Sequence, residues 1–349
     1  NTTGAQNTAI GRYALQNNQT ASGNTAMGYA SLISDTTGYD NTAHGQNCLY
    51  NNTTGLSNTG IGKNALLTNT TASQNTAVGS GALYTSTTSD NVALGFNSAY
   101  SQTTGSNTLA IGRNALFANT TGIQNVAVGN YALDAVTTSN YNVGVGYASL
   151  SSVTTGERNT GIGRSSGSAL TTGSYGVFLG YNTRPSGASS DFVTAIGYNV
   201  EGAAEYTTIG KSSSDIRALH GNATWATVSD ERYKKDIEHS TVGLDFVNDL
   251  KPRTFNYRNK GDLPTTFAAY EKDSTETYKN SETNHGFIAQ EVKAAIDAHP
   301  DIKNGFRMWD SRDDGSQEVS EAAVIPILVK AIQELSTEVN ILKEKLNGK

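Results

Sequence analysis

The sequence predicts a mostly β protein: a parallel β-solenoid of 17-residue repeats, followed by an α+β domain that ends in a long helix. Three observations carry this. Glycine returns at a fixed interval through the first part of the chain, a short stretch of strand-like alternation precedes each of those glycines, and the composition changes sharply after residue 222.

The periodic glycines are Gly11, Gly28, Gly45, Gly62, Gly79, Gly95, Gly112, Gly129, Gly146, Gly163, Gly180 and Gly197, spaced by 17 except for one interval of 16 between Gly79 and Gly95. A period this strict describes one unit stacked about a dozen times, because a single short unit cannot bury its apolar side chains alone. At about 4.8 Å per coil the stack reaches on the order of 60 Å.

Within a coil, the residue before the glycine is bulky (Ile10, Met27, His44, Ile61, Val78), as is the residue two places earlier (Thr8, Thr25, Thr42, Thr59, Val92). Between them stands a small residue such as Ala9, Ala26, Ala43, Gly60 or Ala77. This alternation marks a strand with one bulky and one small face. The expectation is that the bulky face fills the interior. The small face is then uncovered in a single chain and admits another backbone, which implies lateral association. Asn7, Asn24, Asn41, Asn58 and Asn75 open successive strands and are expected to stack as an amide ladder. After each glycine comes a small residue followed by Leu, from Ala14-Leu15 to Ser149-Leu150, and Thr-Thr-Gly or a variant turns the chain back.

In this register Cys48 takes a slot that other coils give to Ala or Ser, so it reads as a small packing residue, and a lone cysteine excludes an internal disulfide. His44 takes the slot expected to face the interior and reads as a tolerated polar residue with a local partner; three copies around a symmetry axis could otherwise hold a metal or anion. After Gly163 the pattern loosens: Phe178 replaces the small residue, and the interval from Gly197 to Gly210 shrinks to 13.

Residues 1–222 hold 30 of the 36 glycines, one of the five prolines and only 17 of the 56 charged residues, while the remainder holds 39 charges and both tryptophans. Regions so different do not share a core. The expected division is a repeat shaft over 1–210, a transition over 211–228 and a second domain over 229–349 whose last helix covers 322–346. The repeat is already under way at Asn1, so the chain is expected to be a piece of a longer one. No run of 18 apolar residues exists and no signal peptide is visible, so no membrane span is expected. The net charge of −6 is spread without basic clusters, which argues against nucleic acid as a partner. No metal or other cofactor is expected. The shaft has nine acidic residues, none in repeated pairs, which argues against a carboxylate glycosidase.

Several pattern matches fail on context. Gly60-Ile61-Gly62 and Gly144-Val145-Gly146 lack the strand-to-helix setting of a dinucleotide fingerprint. Asp310, Asp314, Gly315 and Glu321 imitate part of a calcium loop, but Arg312 stands at a ligand position, so a solvated turn is expected.

The repeat, from 1 to about 200, resembles the heads of trimeric autotransporter adhesins, whose N-S-V-A-I-G motif builds a left-handed parallel β-roll from three chains with coils shorter than 17. A second resemblance covers about 223–346. The blocks W-A-T-V-S-D-E-R-Y-K-K-D-I from Trp225, L-K-P-R-T-F-N-Y-R at 250–258, N-H-G-F-I-A-Q-E-V at 284–292 and V-I-P-I-L-V-K-A-I-Q-E-L from Val324 resemble, in order, the C-terminal intramolecular chaperone of phage tailspikes and tail fibres, the endosialidase type. The resemblance implies that the domain makes three chains fold together into a shaft and then cuts itself off. The implied scissile bond is Val228–Ser229, with Ser229 as nucleophile and Lys234 as base; Asp230 and Arg232 of the same motif are possible supports.

Serine needs a base to become a nucleophile, and a lysine serves only when its pKa falls from about 10.4 toward 7–8. Burial, or a neighbouring cation such as Arg232 or Lys235, is expected to provide this. Because Ser229 follows the bond it attacks, an N-to-O acyl shift and hydrolysis of the resulting ester are the expected course. Residues five apart lie about 140° around an ideal helix, so the dyad needs a turn or a lysine from a neighbouring chain. His285 and Glu291 read as a buried structural histidine and a helix-surface acid.

In the last helix Ile325, Leu328, Ile332, Leu335, Val339, Leu342 and Leu346 alternate spacings of 3 and 4, a heptad seam. Ile or Val mostly at a with Leu at d suits a dimer, whereas the resemblance and the shaft imply a homotrimer. The leading expectation is a segment of a phage tail fibre or tailspike in the virion tail, whose shaft binds a host receptor such as a surface glycan. A bacterial trimeric surface adhesin with the same self-releasing module is the alternative.

Overall fold

The structure is a computed structural model that describes residues 2–222, 224–227, 229–302 and 306–347. The chain divides into two compact units, Asn1–Asp230 and Glu231–Lys349.

The first unit is the solenoid. Ten three-residue strands, from Thr8–Ile10 to Thr160–Ile162, stack in parallel with no slip in register; Thr25, Ala26 and Met27, for example, lie opposite Thr42, Ala43 and His44. Val177–Tyr181, Thr194–Tyr198 and Tyr206–Lys211 continue the same sheet as longer strands. The parallel order then ends. Ser214–Leu219 runs antiparallel to Tyr206–Lys211, and Ala226–Thr227 pairs back onto Ile216 and Arg217. This hairpin covers the edge that a stack of parallel strands otherwise leaves open.

The glycine column sets the period. Gly112 has φ +129°, and a Cβ there would stand 2.5 Å from the carbonyl oxygen of Gly129 one coil on. The same backbone contact recurs from Gly11 to Gly197. No side chain fits between coils at this corner.

The strand faces are the reverse of the expectation. The small middle residues Ala26, Ala43, Ala77, Ala93, Ala110 and Ala127 are fully buried. Ile10, Ile61, Ile162 and Ile209 stand on the outer face, each at least 38% exposed. The interior is narrow because another column fills it: Leu32, Leu49, Leu66, Leu83, Leu116, Leu133 and Leu150 are all fully buried. Each of these leucines contributes about 1.5–3 kcal/mol through burial. Each also sits in the left-handed region, with φ between 48° and 52°, a cost of order 1–3 kcal/mol that this burial offsets. With Leu inside, the strand has room only for Ala or Gly on its inner face. His44, on the outer row, is exposed rather than interior. Phe178 does turn inward, and Gly167 and Gly176 leave it space: a Cβ at Gly176 would lie 2.5 Å from its ring.

The asparagines form a buried ladder, though its main bonds run to backbone. Asn58 Oδ1 accepts the N–H of Asn75 at 3.1 Å, and its own amide donates to the carbonyl of Ala72 at 2.9 Å. Asn24, Asn41, Asn142 and Asn159 bond in the same way. The Thr-Thr turns are stitched likewise: the Thr53 hydroxyl donates to the carbonyl of Thr70 and the Thr120 hydroxyl to that of Thr137. The 16-residue interval is absorbed here. One residue is missing between Leu83 and Asn91, the Asn91 amide turns to the carbonyls of Thr88 and Ser89, and the strands still pair Thr76 with Val92. Cys48 packs in the interior, where burial pushes its thiol up to about 12.

The second unit has a separate core of Val242, Phe246, Val292, Ile296, Met308, Val324 and Ile327. Helices α1 (Leu244–Asp249), α2 (Ala289–Ala298) and α3 (Ile325–Asn347) supply most of it, beside two small antiparallel hairpins. No helix of the described residues is long and apolar enough to cross a membrane.

Two substitutions test the coil. Gly112→Ala should destabilise the shaft by about 3 kcal/mol, since the methyl must displace backbone at a positive φ. Asn58→Ala strands the buried N–H of Asn75 and should cost about 2 kcal/mol. Both are read from thermal unfolding, and unchanged midpoints would contradict the stacking described.

Candidate functional site

The implied cleavage segment begins at the end of the solenoid sheet. Thr227 is the last residue of the last strand, paired with Ile216. Val228, half of the implied scissile bond, lies outside the described residues. Ser229 is exposed and Asp230 half-buried, and Glu231–Tyr233 make a single 3-10 turn closed by the Lys234 N–H donating to the Glu231 carbonyl at 2.8 Å. Arg232 and Lys234 are exposed. Ser229 thus belongs to the first unit, which ends at Asp230, and Lys234 to the second, which opens at Glu231. The segment is a turn rather than an α-helix, so the 140° separation of an ideal helix does not apply to it.

The other motif blocks meet within the second unit. The segment Arg253–Phe255 pairs antiparallel with Asn284–Gly286, which sets Thr254 against His285. The second and third blocks are therefore two strands of one hairpin. Arg253 grips Glu291, in the first turn of α2, through Nε and Nη2 at 2.9 and 2.6 Å. That pairing, helped by Lys251, holds the Glu291 carboxyl below its usual range. Glu291 therefore ties α2 to the hairpin. His285 is exposed on its strand, not buried as expected, because the flanking Asn284 and Gly286 turn to the partly covered side. An open groove of about 840 Å³ beside the hairpin is lined by Phe255, Tyr257, Phe267, Tyr278 and Gln290, among others.

The fourth block packs through a face that the heptad reading did not single out. On α3, Ile327 and Ala331 are buried, and Glu334 accepts the N–H of Leu244 at 2.7 Å, capping the start of α1. A Cβ at Gly243 would stand 2.3 Å from the Glu334 carboxylate, so a side chain there would push this cap aside. That leaves Ile325, Leu328, Ile332, Leu335, Val339, Leu342 and Leu346 all exposed, by 38% to 80%. An apolar row of this length on one helix is uncovered in a single chain.

The calcium-like segment is a hairpin turn. Asp314 accepts the N–H of Ala268 at 2.9 Å and both the N–H and hydroxyl of Ser316, which lower it to about 2, while Arg312 pairs with Glu318. Among the described residues no group of three His, Cys, Asp or Glu is placed to hold a metal ion.

No curated protein and no solved structure matches the chain. Residues 229–299 match the family described as chaperone of endosialidase, a family of self-cleaving intramolecular chaperones, and the match opens at Ser229, directly after the solenoid's last strand.

Proposed function

We propose that the chain is a segment of a phage tail fibre or tailspike. In this reading the solenoid is a homotrimeric shaft that binds a receptor on the host surface, glycan being the expected chemistry, and the domain from Ser229 onward assembles the trimer and then leaves by autoproteolysis. The observation that carries the reading is the family match beginning at Ser229, next to a β-solenoid. A bacterial trimeric surface adhesin remains the second reading, since its shaft makes the same demand for register.

The chemistry follows from the residue types. The Ser229 hydroxyl attacks the Val228 carbonyl carbon while Lys234 takes its proton. The C–N bond breaks as the nitrogen gains a proton, which leaves Val228 esterified to Ser229. Water then hydrolyses the ester, giving a Val228 carboxylate and a free Ser229 amine and hydroxyl. Lys234 is exposed in the single chain, so the desolvation that a lysine base needs comes from neighbouring chains. This makes cleavage conditional on assembly. A cut after Val228 also leaves the closing strand Ala226–Thr227 with the shaft, so the product keeps its covered edge.

Two uncovered apolar rows support trimerisation. One is the partly exposed outer strand row from Ile10 to Ile209, apolar except at His44, the other the α3 seam. Three identical chains of 17-residue repeats can pair in many slipped registers, and a domain that joins the C-terminal ends first removes that ambiguity. Its departure then leaves no way back, a kinetic trap.

On a denaturing gel, the folded protein should give two bands corresponding to residues 1–228 and 229–349, and Ser229→Ala or Lys234→Ala one full-length band. Full-length material from correctly folded wild type would remove the protease assignment. Leu335→Asp with Leu342→Asp leaves the buried face of α3 untouched, so the domain should fold yet sediment as a monomer and stay uncut. Undiminished trimer would overturn the role of the seam.

A further inference from the structure

Besides the asparagine ladder, each coil adds one residue to a second buried column, in which Asn18, Asp35, Asn52, Asn69, Gln102 and Asn119 take part. Its rule is that a side-chain amide donates to the side-chain oxygen one coil earlier. Asn52 donates to Asp35 Oδ1 at 3.1 Å, Asn69 to Asn52 Oδ1 at 2.9 Å and Asn119 to Gln102 Oε1 at 3.4 Å. Three acceptors of the column are buried with no donor: the Oδ1 atoms of Asn18, Asn69 and Asn119. Each stands where the next coil brings no amide. Val136 follows Asn119, and Ser86, whose hydroxyl turns to the Thr88 carbonyl, follows Asn69. Asp35 follows Asn18.

Asp35 differs from the other two, because a carboxyl can supply the missing hydrogen when it is protonated. It is fully buried, and its surroundings are neutral. Asn24 Nδ2 reaches Oδ2 at 3.1 Å, Asn52 Nδ2 reaches Oδ1, and the Gly38 N–H also bonds the carboxyl. No Lys, Arg or His is among the buried residues of the described chain, so nothing cationic within the column balances an ionised Asp35. An isolated buried carboxylate is costly, and the group keeps its proton instead.

We propose that Asp35 is protonated in the folded shaft and donates that proton to Asn18 Oδ1, so that the first coils bind more tightly in mildly acidic solution and loosen when the site ionises. Burial raises this carboxyl from 3.8 to about 7, against the pull of the bonds from Asn52 and Gly38. The sign follows from proton counts. Between those two values the folded chain holds a proton that the unfolded chain has lost, so stability falls as pH rises across the window and is level above it.

The test compares the full chain with Asp35→Asn and Asn18→Val. Infrared difference spectra of wild type minus Asp35→Asn at pH 6 should show the carbonyl stretch of a protonated carboxylic acid, fading with a midpoint near pH 7. A carboxyl already ionised at pH 5 would overturn the proposal. In thermal unfolding, Asp35→Asn should gain on wild type as pH rises from about 4 to about 7, with a constant advantage beyond. A pH-independent difference counts against the proposal. Asn18→Val removes the acceptor, so the infrared midpoint should drop; an unmoved midpoint would show that Asn18 is not the partner. Because the infrared band reads Asp35 directly, it decides the matter even where a variant is too unstable for unfolding curves.

Discussion

Successive coils of the shaft touch through bare backbone at the glycine corner, where a Cβ on Gly28, Gly62 or Gly112 would overlap the carbonyl of the next glycine. Because nothing can separate the coils there, the chain must return to the same point after every circuit, and each other feature is phased to that return. The strand occupies the three residues before the glycine, the left-handed leucine follows four residues after it, and the asparagine ladder opens the next strand. Hydrogen bonds from coil to coil then follow as a consequence of phase, with the Leu49 N–H donating to the carbonyl of Ala65 and the Leu66 N–H to that of Ala82.

The period, the strand positions and the ladder were legible because a repeat states its own register; twelve copies of one glycine leave little freedom. The orientation of the strand was not. Alternation shows that Ile61 and Gly60 face opposite ways but not which way is in, and the decision rests with Leu49 and Leu66, which enter the interior from another corner. Their left-handed backbone has no signature in the sequence, since leucine rarely adopts it. The same limit applied at the second domain. The heptad spacing of α3 identified the exposed row, while the contacts of Ile327, Ala331 and Glu334 with the domain depend on tertiary neighbours that periodicity does not name. The exposure of His285 has a related cause: a short strand paired on one side leaves alternate residues in solvent.

Between Thr227 and Lys234 the sequence passes from the first unit to the second. On one side the sheet is closed by an antiparallel strand, and on the other the family match begins. The reading of Ser229 and Lys234 as a dyad rests on the motif around them, and it asks of the assembly what a single chain lacks: cover for an exposed lysine and for two apolar rows. The same missing neighbours answer both demands, which is why assembly and release are joined in one proposal.

The short coil between Gly79 and Gly95 shows where the shaft accepts a change of length. The arc from Leu83 to Asn91 loses a residue, and neither the strands nor the glycine contacts shift. One coil therefore runs on sixteen residues while its strand and glycine keep step with their neighbours, so the arc from leucine to asparagine sets the length of a circuit without setting its phase.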